Sequence, residues 1–329
     1  MASVMSRMLN FIIRSLRVKN AYETMFSNRR FGRGDMKGPP KSFYSSLSIE
    51  TVKTDRGNVY YLAKPDAAGS SGRHILYLHG GGYVHGINRL HWIFLKTLVN
   101  DLDCTIVAPE YPLAPEFTFH DSFEMVIPIY KALIDRIGGE NLILMGDSSG
   151  GGFALALAQK AREENMGMAS QIILLSPWLD ITLKNKGIIA LDDEDPILGV
   201  TGLRRAGLSY AGDANPSHYL LSPINGEMDG LGKITVFIGT KDLLLADTRK
   251  LKAIMQEKGI EMNYYEYPDM LHVWPLFNLP ESKDAIEKIE LLVNKGRNET
   301  EQEETMDRSA EETKNKMEDN AENKNEVVT

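Results

Sequence analysis

A chain of 329 residues, 43% of them hydrophobic, is long enough for one large core. No apolar run reaches the roughly 18–20 residues that a bilayer span requires, and a net charge of −8 argues against nucleic acid as the main partner. The single cysteine, Cys104, excludes an intramolecular disulfide framework and fits a reducing, cytoplasmic setting.

The charge is unevenly spread. Residues 1–41 carry nine Lys and Arg against Glu23 and Asp35, a net +7. Within them Met5, Met8, Leu9, Ile12, Ile13 and Leu16 recur at helical spacing, with Arg7, Arg14 and Arg17 between. Three readings compete. A helix lying over the protein's own pocket is preferred. A membrane-surface anchor is second, since a basic amphipathic helix binds anionic headgroups. A cleaved targeting segment is last, because Arg14 and Arg17 interrupt the apolar run and no A-x-A site follows.

A flexible "RFGRGDMKGPP" leads into patterned sequence. "SLSIETVKT" and "NVYYLAKP" flank "DRG", which reads as a hairpin. "RHILYLHGGGY" is a buried strand opening into a glycine loop, and "CTIVAPEY" is a further strand that buries Cys104. A helix follows from about Asp121 to Ile137, ended by Gly138-Gly139. "NLILMG" is a continuous apolar strand, and "SGGGFALALAQKAREE" is a helix. Strand "QIILLSPW", a less regular stretch from about Asp180 to Tyr219, and strand "KITVFIG" come next. Helix Leu243–Lys258, strand "MNYYEYP" and a helix over about 281–295 complete the series. Strands alternating with helices predict an α/β fold, its mostly parallel sheet covered on both faces. Residues 296–329 hold eleven acids against five bases and few large apolar residues, so they read as a disordered acidic tail.

In such a sheet, ligands sit beyond the carboxyl ends of the strands. "MGDSSGGG", residues 145–152, stands at one of these ends. The pattern G-x-S-x-G fits Gly146, Ser148 and Gly150; centring it on Ser149 would put Asp147 in a glycine position. Strand–turn–helix is the context of a nucleophile elbow. A small-residue turn without chemistry competes with that reading. A phosphate loop does not, since no Lys follows and the spacing fails G-x-G-x-x-G. "GDSSGG" also superficially matches the GDSGG of chymotrypsin-like proteases, but those are β-barrels whose His and Asp precede the Ser.

A serine nucleophile needs donors for the developing oxyanion. The three glycines of "LHGGGY" leave backbone N–H groups unobstructed, and the residue after the nucleophile, Ser149, supplies another. Asp242 stands just past "KITVFIG" and His272 just past "MNYYEYP", giving the order Ser, acid, His at one sheet edge. Asp247, a rival acid, reads as an exposed helical charge. His79 reads as shaping the glycine loop, and His74 as solvated. His85, His91, His120 and His218 lack a matching strand-end position.

These pieces, from about Val4 to Lys295, resemble the hormone-sensitive lipase-like esterases (bacterial family IV) of the α/β-hydrolase superfamily. The resemblance rests on "HGGGY" at 79–83, "YPLAPE" at 111–116, "GDSSGG" at 146–151, "SPWLD" at 176–180, "DLLLAD" at 242–247 and "MLHVW" at 270–274. It implies an α/β-hydrolase domain over 46–295, capped by N-terminal helices within 1–45 and an insertion at about 181–215. It also implies Ser148 as nucleophile, Asp242 and His272 as its partners, and oxyanion donors at Gly81, Gly82 and Ser149. The expected activity is hydrolysis of a small carboxylic ester, short-acyl by preference, through an acyl-enzyme without metal or cofactor. Amide or lactone deacylation and a non-catalytic receptor on the same fold are the alternatives, and a homodimer is compatible with either. Two positions depart from the family: Ser149 replaces the usual Ala, and "PDML" lacks the usual Gly before the His.

Overall fold

In the computed structural model, which describes residues 2–27, 35–65 and 72–294, the apolar runs form one eight-stranded sheet. The strands are β1 (Ser48–Lys53), β2 (Asn58–Ala63), β3 (His74–Leu78), β4 (Thr105–Pro109), β5 (Leu142–Asp147), β6 (Gln171–Leu175), β7 (Lys233–Gly239) and β8 (Met262–Tyr267). Their spatial order is β1-β2-β4-β3-β5-β6-β7-β8. The expected hairpin pairs β1 with β2 in antiparallel register, Lys53 opposite Asn58, and β2 runs antiparallel to β4. All other pairings are parallel.

Every residue of β5 and β6 is buried. Successive strand side chains point to opposite faces, so both faces of the sheet are covered there. The helices are α1 (Val4–Ser15), α2 (Val18–Ser27), α3 (Arg89–Leu102), α4 (Phe119–Ile137), α5 (Ser148–Glu163), α6 (Ile188–Asp192), α7 (Val200–Ala211) and α8 (Leu245–Glu257). Residues 280–294 are also helical. Helices α3, α4, α5 and α8 pack on the strands. Among the described residues no helix is long and apolar enough to cross a membrane.

Two stretches are more regular than their sequence patterns indicate. Helix α3 is not anticipated, although Trp92, Leu95, Leu98, Val99 and Leu102 recur along its buried side. The stretch 180–219 contains α6 and α7, short helices whose buried residues Ile188, Leu203, Ala206 and Tyr210 join the main hydrophobic core. Of "RFGRGDMKGPP", residues 35–40 are described, and Asp35 there accepts a hydrogen bond from the Gly86 N–H at 2.9 Å. The remainder, and the acidic tail at 296–329, lie outside the described residues.

The strand order carries the chain from β3 outward to β4 and then back to β5 on the other side of β3. A crevice opens outside the carboxyl ends of strands at such a reversal. The glycine loop leaves β3 there and Ser148 leaves β5. The chain turns from β5 into α5 with Ser148 at φ +52°, a left-handed conformation costly for a residue with a Cβ. Behind it, a Cβ on Gly150 would lie 1.9 Å from the Leu78 carbonyl oxygen of β3, so only glycine lets α5 come this close. Gly150→Ala should therefore destabilise the fold by about 1–3 kcal/mol, as overpacking does, read as a lowered denaturation midpoint. An unchanged midpoint would contradict the close approach.

Candidate active site

Ser148 opens α5 directly at the end of β5, and its side chain is nearly buried. Its Oγ lies 2.9 Å from His272 Nε2. On the other side of the ring, His272 Nδ1 lies 2.9 Å from Asp242 Oδ2. The second oxygen of Asp242 accepts the Leu244 N–H at 2.9 Å, fixing the carboxylate in the turn after β7. Burial pulls the His272 imidazole toward the neutral form, but the Asp242 carboxylate outweighs it and the pKa ends above its ordinary value.

A second buried carboxylate, Asp195, stands behind this pair. It accepts N–H groups from Ile197 at 2.7 Å, Leu198 at 2.8 Å and Leu243 at 2.7 Å, the last being the residue after Asp242. Burial, and then the charge of Asp242, push its pKa up to about 6. No motif announces Asp195. Its signal is the sequence "DEDP" within a segment that reads as irregular.

Asp147, which the sequence reading uses only to choose between two serines, also has a structural task. Its Oδ1 accepts the Tyr77 hydroxyl at 2.6 Å and the Gly80 N–H at 2.8 Å, and its Oδ2 faces His91 Nε2 at 3.3 Å. Burial pushes this carboxyl up, yet His91, Tyr77 and the Gly80 N–H hold it below the usual carboxylate range. The Asn88 N–H donates to His91 Nδ1, which assigns the ring proton to Nε2, toward Asp147. His91 is thus a member of the site's scaffold that strand-end position alone does not find.

The glycine loop is held from both sides. His79 is buried, stacks on Tyr111 at 4.3 Å between ring centres, and its Nδ1 lies 2.8 Å from the Gly80 carbonyl. Burial, then the neighbouring His91, lower its pKa to about 4, so the ring is neutral. That matches its expected part in shaping the loop. Gly81 and Gly82 follow at φ +127° and +63°, conformations that favour glycine. The Ser149 N–H lies in the first turn of α5, where a helix leaves N–H groups without intrahelical acceptors.

The expected site residues meet in one place. Ser148, His272, Gly81 and Gly82 all line a cavity of about 880 Å³, and its outer wall comes from Leu16, Met25, Ile197, Leu198 and Leu203. The wall elements are fastened together: Glu23 of α2 accepts the Gly202 N–H of α7 at 2.9 Å, and Lys19 pairs with Asp192 at 2.8 Å. Two outlying expectations are corrected. Asp247 is buried, not exposed; Asn185 donates to it at 2.9 Å, and burial pushes its pKa up to about 6. His74 is half-buried, with Nδ1 at 2.8 Å from the Gly72 carbonyl, because it starts a strand inside the sheet.

Residues 75–276 match the family model described as the alpha/beta hydrolase fold. The chain is 30% identical over 223 residues to an acetyl-hydrolase of Streptomyces hygroscopicus, covering 67% of this chain and 75% of that one. Among solved structures it is similar to EstE5, soaked with p-nitrophenyl butyrate, at 27% identity and a TM-score of 0.78, over 90% of this chain and 99% of that one. An esterase from the bacterial hormone-sensitive lipase family superposes at 26% identity and a TM-score of 0.76, over 90% and 100% of the two chains. The chain therefore belongs to the α/β-hydrolase family, among its hormone-sensitive lipase-like members.

Proposed function

We propose that this carboxylesterase-type hydrolase cleaves small, short-acyl carboxylic esters through an acyl-enzyme on Ser148. The observation that carries the reading is the unbroken hydrogen-bonded line from Ser148 Oγ through His272 to Asp242, buried at the floor of a cavity. His272 Nε2 takes the Ser148 proton as the oxygen attacks the ester carbonyl, and Asp242 holds the imidazolium that forms. The N–H groups of Gly81, Gly82 and Ser149 receive the oxyanion, each such donor being worth about 3–4 kcal/mol of barrier. His272 then gives its proton to the departing alkoxide. Water repeats the cycle, returning a carboxylic acid and the free serine. Names borne by relatives, acetyl-hydrolase and esterase, support the ester class. The cavity volume lies within the range that small-molecule sites occupy, roughly 300–1,000 Å³, which supports a small-molecule ester as substrate.

We place the activity in the cytoplasm, since the chain's single cysteine, Cys104, is a free thiol and fits a reducing compartment.

Ser148→Ala should lower kcat toward p-nitrophenyl acetate and butyrate by about 10⁴-fold or more with the fold intact. Hydrolysis at the wild-type rate would overturn the assignment. Across an acyl series, kcat/KM should be greatest for the short esters and collapse at palmitate; a palmitate optimum would overturn the acyl preference.

The base must be neutral, so kcat/KM should fall as pH drops through a His272 pKa that lies above its ordinary 6.5. Asp195 is one of the charges that raise that pKa. Asp195→Asn should therefore move the acidic limb of the profile to lower pH, while an unmoved limb would leave Asp195 no electrostatic part.

A further inference from the structure

Helix α1 is fastened along one side only. The Ser3 N–H and the Ser6 hydroxyl donate to the Glu281 carboxylate, each at 2.6 Å, and Ile13 is buried two turns beyond Ser6. Arg14 donates to the Asp193 and Glu194 carbonyls of the cap. The other side carries Val4, Met5, Met8, Phe11, Ile12 and Leu16, whose exposure runs from 44% at Ile12 to 72% at Phe11. Their spacing of three and four residues gathers them into one stripe, roughly opposite Ser6 and Ile13. Six large apolar residues on one water-facing helix side mark an interaction surface, not a scatter of surface hydrophobics.

The charges around the stripe select the partner. Arg7 borders it near Phe11, and Arg17 follows Leu16; both are exposed. Residues 1–41 as a whole are +7 within a chain of −8. A second copy of α1 would bring arginines against arginines, whereas an anionic lipid surface complements both the stripe and its border. Screening over about 10 Å at 0.1 M salt lets Arg7 and Arg17, which flank the stripe, act despite the acidity of the rest of the chain. The stripe also ends at the substrate cavity, because Leu16 and Arg17 line it.

We propose that α1 docks the protein on an anionic bilayer, with Met8 and Phe11 in the headgroup boundary and the basic residues against lipid phosphates. Docked in this way, the cavity opens toward the lipid surface and draws its ester from there; this second statement rests on the hydrolase reading above, and the docking itself does not.

The test is co-sedimentation of the full chain with extruded vesicles, phosphatidylcholine alone against phosphatidylcholine with phosphatidylglycerol. Binding to the mixed vesicles is expected, weakened by high salt and lowered about tenfold or more in Met8→Ser/Phe11→Ser, whose thermal unfolding serves as the folding control. Ser148→Ala should sediment like the wild type, so that failure of docking and failure of catalysis are separately visible. No sedimentation, or equal sedimentation of the double variant, overturns the proposal. So does a dimer on size exclusion that the double variant converts to monomer without vesicle binding, for the stripe would then be covered by a second copy. Equal wild-type and double-variant rates on an ester dissolved in the vesicles would overturn the delivery statement.

Discussion

One buried carboxylate sets the spacing on which the site depends. Asp147 ends β5 and reaches across to β3, where it holds the Gly80 N–H and the Tyr77 hydroxyl. Ser148 is the next residue along β5's exit, and Gly81 and Gly82 are the next along β3's. The distance between the proposed nucleophile and its oxyanion donors is thus fixed by a bond one residue behind each. A charge this deeply buried is tolerated because it is fully hydrogen-bonded. The same group explains why the loop residue beside it is glycine: a Cβ on Gly80 would lie 2.2 Å from Asp147 Oδ2.

A similar economy governs the other side of the pocket. His272 faces Asp242 directly and Asp195 at one remove, and both bias the ring toward its charged form. Two carboxylates so close would repel. The arrangement tolerates this because Asp195 accepts three backbone N–H groups and has a pKa raised toward neutrality. The acid is thereby held in place by a neighbour that contributes charge only when pH permits.

Much of this was legible in the sequence, for identifiable reasons. Buried parallel strands are runs of apolar residues, and the residues that leave them lie at one edge, so Ser148, Asp242 and His272 could be placed together from order alone. The elbow betrayed itself because its turn demands glycines at fixed offsets. Asp195 and His91 were illegible because neither follows a strand and each acts through a partner more than forty residues away. Asp247 was misplaced since helical position says nothing of which face a neighbouring segment covers; Asn185 covers it. The regularity of 180–219 was hidden by short helices whose partners, α8 for α6 and α2 for α7, lie far away in sequence.

Four consecutive residues, 192–195, carry an unusual density of connections. Asp192 pairs with Lys19 of α2, the carbonyls of Asp193 and Glu194 receive Arg14 of α1, and Glu194 pairs with Lys241, while Asp195 bonds the backbone beside Asp242. The apolar side chains of Met25 and Ile197 also line the cavity but are only part-buried, so they are freer to change in size. Substrate range can therefore drift in evolution through the walls without disturbing the sheet. Asp192 and Asp195 cannot drift with it, since their side chains hold α2 and the acid's turn.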